Sequence, residues 1–248
     1  DDPAVMAWLQ SQRAKHATNI SVCAGAKVIA AAGLLDEKRA TTHWYYRGAM
    51  FRKHPAIQFV RDRRFVIDDK VATTTGITAS IPMMLTLIEA IGGRDKAEAV
   101  ARDLGIVEWD GRHRTDAFLF SRPFATTVLR NSVAFWDHDR FGVRLVPGVD
   151  EVKLALVADA WSRTYRSRVT SFAEGTGVVT SRSGMRIRPD QSRSDGMEME
   201  LPAGPPAPAL DETLLAIGDR YGAATADVVA AQLEYPRRAR AMELTSTR

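Results

Sequence analysis

Cys23 is the chain's one cysteine, and it stands in Ser21-Val22-Cys23-Ala24-Gly25-Ala26, where a strand-like run gives way to a helix-forming one. A strand–nucleophile–helix turn of this kind presents its central side chain at the tip of a sheet. The positive end of the following helix lowers a thiol's pKa, and the first amides beyond the nucleophile can stabilise an oxyanion. Small side chains at Ala24, Gly25 and Ala26 leave room for that backbone. The chemistry so arranged is attack on a small electrophile with a covalent thiol adduct. An inert buried cysteine is the other reading of the same residue.

The elements that must position Cys23 follow from local pattern. Asp2-Pro3 reads as an N-cap and first helical residue, opening a helix to about His16 with Val5, Trp8 and Leu9 on one face. Asn19 to Val22 is a short strand, and Ala26 to Ala32 a helix stopped by Gly33. Ala40 to Thr42, Phe59-Val60, Phe65 to Ile67 and Val71 to Thr75 read as strands, with Asp68-Asp69-Lys70 a turn. Helices are expected over Thr78 to Ile91 and from an Asp95 cap to Gly105. This alternation predicts a parallel α/β sheet covered by helices.

Beyond Gly105 the pattern thins. Ile106 to Pro147 is rich in aromatic residues and reads as a partly helical connection. Glu151 to Ala158 is an apolar strand candidate, followed by strands at Arg168 to Phe172, Gly177 to Ser181 and Met185 to Arg188, with Ser183-Gly184 as a hairpin turn. Pro202 to Pro208 reads as a stiff exposed linker, and Asp211 as the cap of a helical pair at Glu212 to Arg220 and Ala224 to Glu234.

SVCAGAKVIAAAGLLDEKRATTHW, Ser21 to Trp44, resembles the elbow of the ThiJ/PfpI family, in the class I glutamine amidotransferase-like superfamily. VIDDKVATTTGITASIPMMLTLIEAIGG, Val66 to Gly93, resembles that family's later hairpin and helix. The resemblance implies a flavodoxin-like parallel sheet with helices on both faces, and Cys23 as the nucleophile. It also implies His43 near the thiol, an oxyanion-hole amide at Ala24 and a close backbone approach at Gly25. A histidine there could stabilise a thiolate or shuttle a proton; a buried strand-end histidine is the alternative. Cys23 and His43 end two strand candidates joined by one helix, and a parallel strand–helix–strand unit brings such ends to one edge.

The family carries strands and an acidic partner of the cysteine before the elbow, whereas this chain begins at the helix just ahead of it. Val149 to Tyr235 resembles a degenerate second copy without an elbow, and Asp159 or Glu151 could supply the acid. The expected organisation is an elbow-bearing domain over 1–108, an aromatic-rich connection over 109–148, and a degenerate half-domain over 149–248. A strand from Glu151 to Arg188 is expected to join the Cys23 sheet or pack its own beside it, with Val228, Val229 and Leu233 buried against the assembly.

At 248 residues, 45% apolar and 26% charged, the chain can bury a sizeable core and is not disordered or collagen-like. One cysteine excludes an intramolecular disulfide; the cytoplasm is favoured, with secretion or anchoring open if a segment preceded Asp1. The net charge of +4 is spread over 34 basic and 30 acidic residues, and Arg61 to Arg64 and Arg237 to Arg240 read as solvated faces. Five histidines show no metal-site spacing, and neither Gly92-Gly93 nor Gly175-Thr176-Gly177 is a phosphate loop. No metal or organic cofactor is expected. Trp109 to His113 could line a pocket or join the core. The expected partner is a small-molecule substrate or ligand, with a homodimer allowed and no membrane span in this chain. Family members often precede helix-turn-helix pairs in regulators, but the C-terminal segment is too short for two such units, so direct DNA binding is not expected. The competing reading is a ligand- or redox-sensing module using the same cysteine.

Overall fold

The computed structural model describes residues 2–175 and 177–237. Asp1, Thr176 and the basic run beyond Arg237 lie outside the described residues. Helix α1 (Pro3–Ala14) starts as the sequence dictates, with the Asp2 carboxylate accepting the Ala4 N–H at 2.8 Å. Only one of its three expected apolar contacts is buried: Leu9 enters the core, while Val5 and Trp8 face solvent. Strand β1 (Asn19–Ser21) runs into the turn at Cys23 and then α2 (Gly25–Ala31). There follow β2 (Arg39–Ala40), α3 (Trp44–Lys53), β3 (Gln58–Phe59), β4 (Phe65–Asp68) and β5 (Val71–Thr74). Helices α4 (Ser80–Gly92) and α5 (Arg94–Leu104) complete this half. Gly93, not Asp95, occupies the N-cap of α5, and Gly105 ends it in the left-handed conformation.

The fold is α/β, with strands distributed over small sheets. β1 pairs parallel with β5, which pairs antiparallel with β4 through the Asp69-Lys70 turn. β2 and β3 pair parallel with one another. Thr41 N–H donates to the Thr73 hydroxyl at 2.9 Å and Arg39 N–H to the Asp68 carboxylate at 2.9 Å, tying the end of β2 to the β4–β5 hairpin.

In the second half, α6 (Arg122–Val133) is capped by Ser121 and leads to β6 (Asp139–Arg144). That segment was expected to be a connection, yet β6 is the centre of a parallel sheet. It lies between β7 (Ser167–Phe172) and β10 (Met197–Met199). Glu151 to Ala158 is not a strand: α7 (Glu151–Ser162) fills this stretch. Asp150 caps it, accepting the Lys153 N–H at 2.9 Å, and Leu156, Val157, Ala160 and Trp161 are buried at helical spacing. β8 (Val179–Thr180) and β9 (Arg186–Ile187) form the expected hairpin around Gly184. The proline-rich stretch is an exposed linker only in part: Ala203 to Pro205 are exposed, but the helix starts within it. Pro206 begins α8 (Pro206–Tyr221) and is buried, while Pro205 lies against Gly105. α9 (Ala223–Leu233) closes the chain's described part.

Among the described residues no strand of the second half hydrogen-bonds into the β1–β5–β4 sheet; β7 pairs with β6 instead. The halves meet through α9, at the contact of Pro205 with Gly105, and at the Arg182–Asp103 ion pair. Val228, Val229 and Leu233 are buried, and Ile77 and Ile81 of the elbow half pack on the core made by α7, α8 and α9. One tight approach is at Gly76, where a Cβ would stand 2.5 Å from both the Leu233 carbonyl oxygen and the Glu234 Cβ. Gly76→Ala is therefore expected to lower stability by about 1–3 kcal/mol, the cost of overpacking an interior contact. A urea midpoint equal to wild type would contradict this.

Candidate functional site

The turn after β1 holds Cys23 at φ +57°, a left-handed conformation rare outside glycine. Two hydrogen bonds from neighbouring threonines hold it there. The Cys23 N–H donates to the Thr74 hydroxyl at 3.2 Å, and the Thr42 hydroxyl donates to the Cys23 carbonyl at 3.0 Å. Thr74 ends β5 and Thr42 closely follows β2, so the strands themselves set the turn. Gly25 N–H donates to Val22 O at 2.9 Å, so the amide of Gly25 is already committed. A Cβ at Gly25 would meet Ser21 Cβ at an ordinary 3.5 Å, which makes the close approach expected there a comfortable contact. Ala24, at the N-cap of α2, is the residue whose backbone N–H interacts with the sulfur.

Burial pushes the Cys23 thiol above its ordinary pKa, and the Ala24 amide only partly offsets this. The carboxylates of Glu234 and Asp159 push the same way, against Arg163. The sequence expectation of a depressed pKa is thus corrected: α2 has only seven residues, and desolvation outweighs the field at its end. Iodoacetamide labelling of Cys23 should still accelerate above the free-thiol value of about 8.5. A labelling midpoint below that value would contradict this assignment.

His43 is buried and caps α3. Its Nδ1 accepts the Tyr45 N–H at 3.3 Å and its Nε2 lies 3.0 Å from the Gln232 carbonyl, an arrangement that requires the Nε2–H tautomer. Burial lowers its pKa, favouring this neutral form. Both ring nitrogens are committed to backbone groups, so proton exchange with the thiol would require one of those bonds to open. Thr42, its chain neighbour, provides the hydrogen-bonded link to Cys23.

Three side chains of the elbow half donate to the last carbonyls of α9, where helical partners run out. Trp44 Nε1 donates to Ala231 O at 2.7 Å, His43 to Gln232 O, and the Thr78 hydroxyl to Leu233 O at 3.0 Å. Glu234 follows at φ +50°, 4% exposed, with its carboxylate accepting the backbone N–H of Trp44 at 2.8 Å and that of Gly76. Desolvation raises its pKa, moderated by those two amides. Among the carboxylates acting on Cys23, Glu234 has a larger influence than Asp159. Asp159 is paired to Arg163 at 2.8 Å. Glu151 sits at the opposite end of α7, hydrogen-bonded to Ser183. In sequence Glu234 stands between a helix and Tyr235-Pro236, where a solvated carboxylate is the ordinary reading. Only docking of α9 makes it part of the site.

Among the described residues no cluster of three or more histidine, cysteine or acidic side chains could hold a metal ion, and no helix is long and apolar enough to cross a membrane.

Residues 1–90 match the DJ-1/PfpI family. Isonitrile hydratase from Pseudomonas putida is 38% identical over 105 residues, covering 42% of this chain and 44% of that protein. HTH-type transcriptional regulator CdhR from Pseudomonas aeruginosa is 37% identical over 99 residues, covering 40% of this chain and 29% of its own length. HTH-type transcriptional regulator GlxA from Rhizobium meliloti is 39% identical over 80 residues, or 32% of this chain and 24% of that regulator. The chain thus spans less than half the length of each of these relatives. The regulators overturn the expectation that direct DNA binding has no place here. It rested on the shortness of one segment, which is no measure of what related proteins contact.

Proposed function

We propose, from the premise that this chain belongs through residues 1–90 to the DJ-1/PfpI family, that Cys23 adds to the carbon of a small electrophile of the isonitrile type. The observation that carries this reading is the thiol held at φ +57° between β1 and α2 with the Ala24 amide against its sulfur. A raised pKa suits this substrate class. The terminal carbon of an isonitrile must gain both a sulfur and a proton, and a neutral thiol brings both. Sulfur bonds the carbon, the S–H proton moves to that carbon, and a thioimidate results. Water then adds to the same carbon and the C–S bond breaks, giving a formamide and restoring the thiol. Attack on an amide would instead call for a thiolate and a separate acid for the leaving nitrogen. Glu234 and His43 act in this reading as positioning groups that hold α3 and α9 about the turn. Residues 149–248 are read as a degenerate related half that completes the surroundings of the elbow.

A ligand-sensing module is the second reading, favoured by the HTH-type relatives and by the clasp of α9 on the elbow half. There the thiol would hold a ligand while α9 shifts. Following formamide release from cyclohexyl isocyanide separates the two. Product well beyond one equivalent per chain is expected for the enzyme, and a single equivalent or none would overturn that reading.

A further inference from the structure

A cavity of about 450 Å³, which Cys23 does not line, lies between α9 and the loop that follows Trp109. Its apolar wall is made by Ala230 and Ala231 of α9 together with Phe118, whose ring is stacked on His113 at 5.2 Å and 2°. Four arginines line it: Arg64, Arg112, Arg114 and Arg237. Two are neutralised, Arg112 by Asp110 at 2.5 Å and Arg237 by Asp227 at 2.6 Å. Arg64 spends only its Nε, on the Arg112 carbonyl at 3.0 Å, and neither Arg64 nor Arg114 forms an ion pair among the described residues. The next acid, Asp62, accepts the Thr115 N–H at 2.9 Å. His113, pushed down to about 4 by burial and by Arg64, is neutral at physiological pH and leaves the positive charge to the arginines.

We propose that this cavity is a ligand site of its own, taking a small aryl carboxylate. The ring would lie on the Phe118–His113 stack and the alanine wall, and the carboxylate would meet the free guanidinium edges of Arg64 and Arg114. Guanidinium forks match carboxylate geometry, and flat apolar walls suit an aromatic body. The turn of α9 that lines the cavity also carries the Ala231 carbonyl held by Trp44, so the site shares a helix with the elbow.

Calorimetric titration of the full chain with benzoate, benzamide and inorganic phosphate tests this. Benzoate should bind saturably and weaken with added salt, with benzamide and phosphate each about tenfold weaker or worse. The Arg64→Gln, Arg114→Gln double variant should weaken benzoate about tenfold or more, the loss of charge-assisted hydrogen bonds. Arg61→Gln, outside the cavity and paired to Asp116, should bind as wild type. Equal binding of benzamide, phosphate binding as tight as benzoate, or unchanged affinity in a double variant whose melting curve matches wild type would overturn the proposal.

Discussion

Cys23→Ser is expected to lower the rate of cyclohexyl isocyanide hydration by about a thousandfold or more, the scale on which loss of a covalent nucleophile is felt. Serine is close in shape to cysteine and keeps the Thr74 and Thr42 hydrogen bonds, which reach backbone atoms of residue 23. It must still adopt φ +57°, as cysteine does, so the two proteins carry similar backbone strain. The change therefore isolates the sulfur. A variant within tenfold of wild type would mean that the reaction does not pass through this side chain.

Glu234→Ala should produce the largest loss of stability, about 3 kcal/mol or more. It leaves the buried amides of Trp44 and Gly76 without their acceptor, at roughly 1–3 kcal/mol each. Glu234→Gln retains an acceptor oxygen and should cost less. The glutamine variant also isolates a pH effect. Because the folded chain raises this carboxyl's pKa, the fold favours its protonated form. The stability it adds is fully present below the unfolded value of about 4.3 and is lost as pH rises through the raised folded value. The wild type should thus lose ground to Glu234→Gln as pH increases, read from urea midpoints in parallel. A difference independent of pH, or one of the opposite sign, would contradict this role for Glu234.

The elbow half was legible because its signals are local. Asp2-Pro3 specifies a helix start, Gly105 a helix stop, and the Asp69-Lys70 turn a hairpin, each within a few residues. The Cys23 turn is only partly of this kind: the strand before it and the small residues after it are local, whereas Thr42 and Thr74, which hold it, are brought there by the fold. In the second half, the apolar run from Val152 to Val157 suits a strand or a helix. The deciding signal was Asp150 as an N-cap, reinforced by buried residues one turn further on. β6 was hidden because Gly142 and three flanking charges at Asp139, Arg140 and Arg144 dilute its alternation. Local pattern could not reveal Glu234 at all. Its burial and its bonds to Trp44 and Gly76 span more than 150 positions of chain and exist only once α9 has docked. The direction of the thiol's pKa shift is hidden from local sequence for a related reason. A helix terminus is visible in sequence, whereas the desolvation that outweighs it comes from packing.

Peptide mass spectrometry after an acid quench of the protein mixed with cyclohexyl isocyanide tests the central claim, that the elbow sulfur forms the bond. A mass increase of one whole isonitrile is expected on the peptide carrying Cys23, absent in Cys23→Ser and decaying as formamide appears. Formamide accumulating while that peptide stays unmodified, or the added mass residing on another side chain, would contradict it.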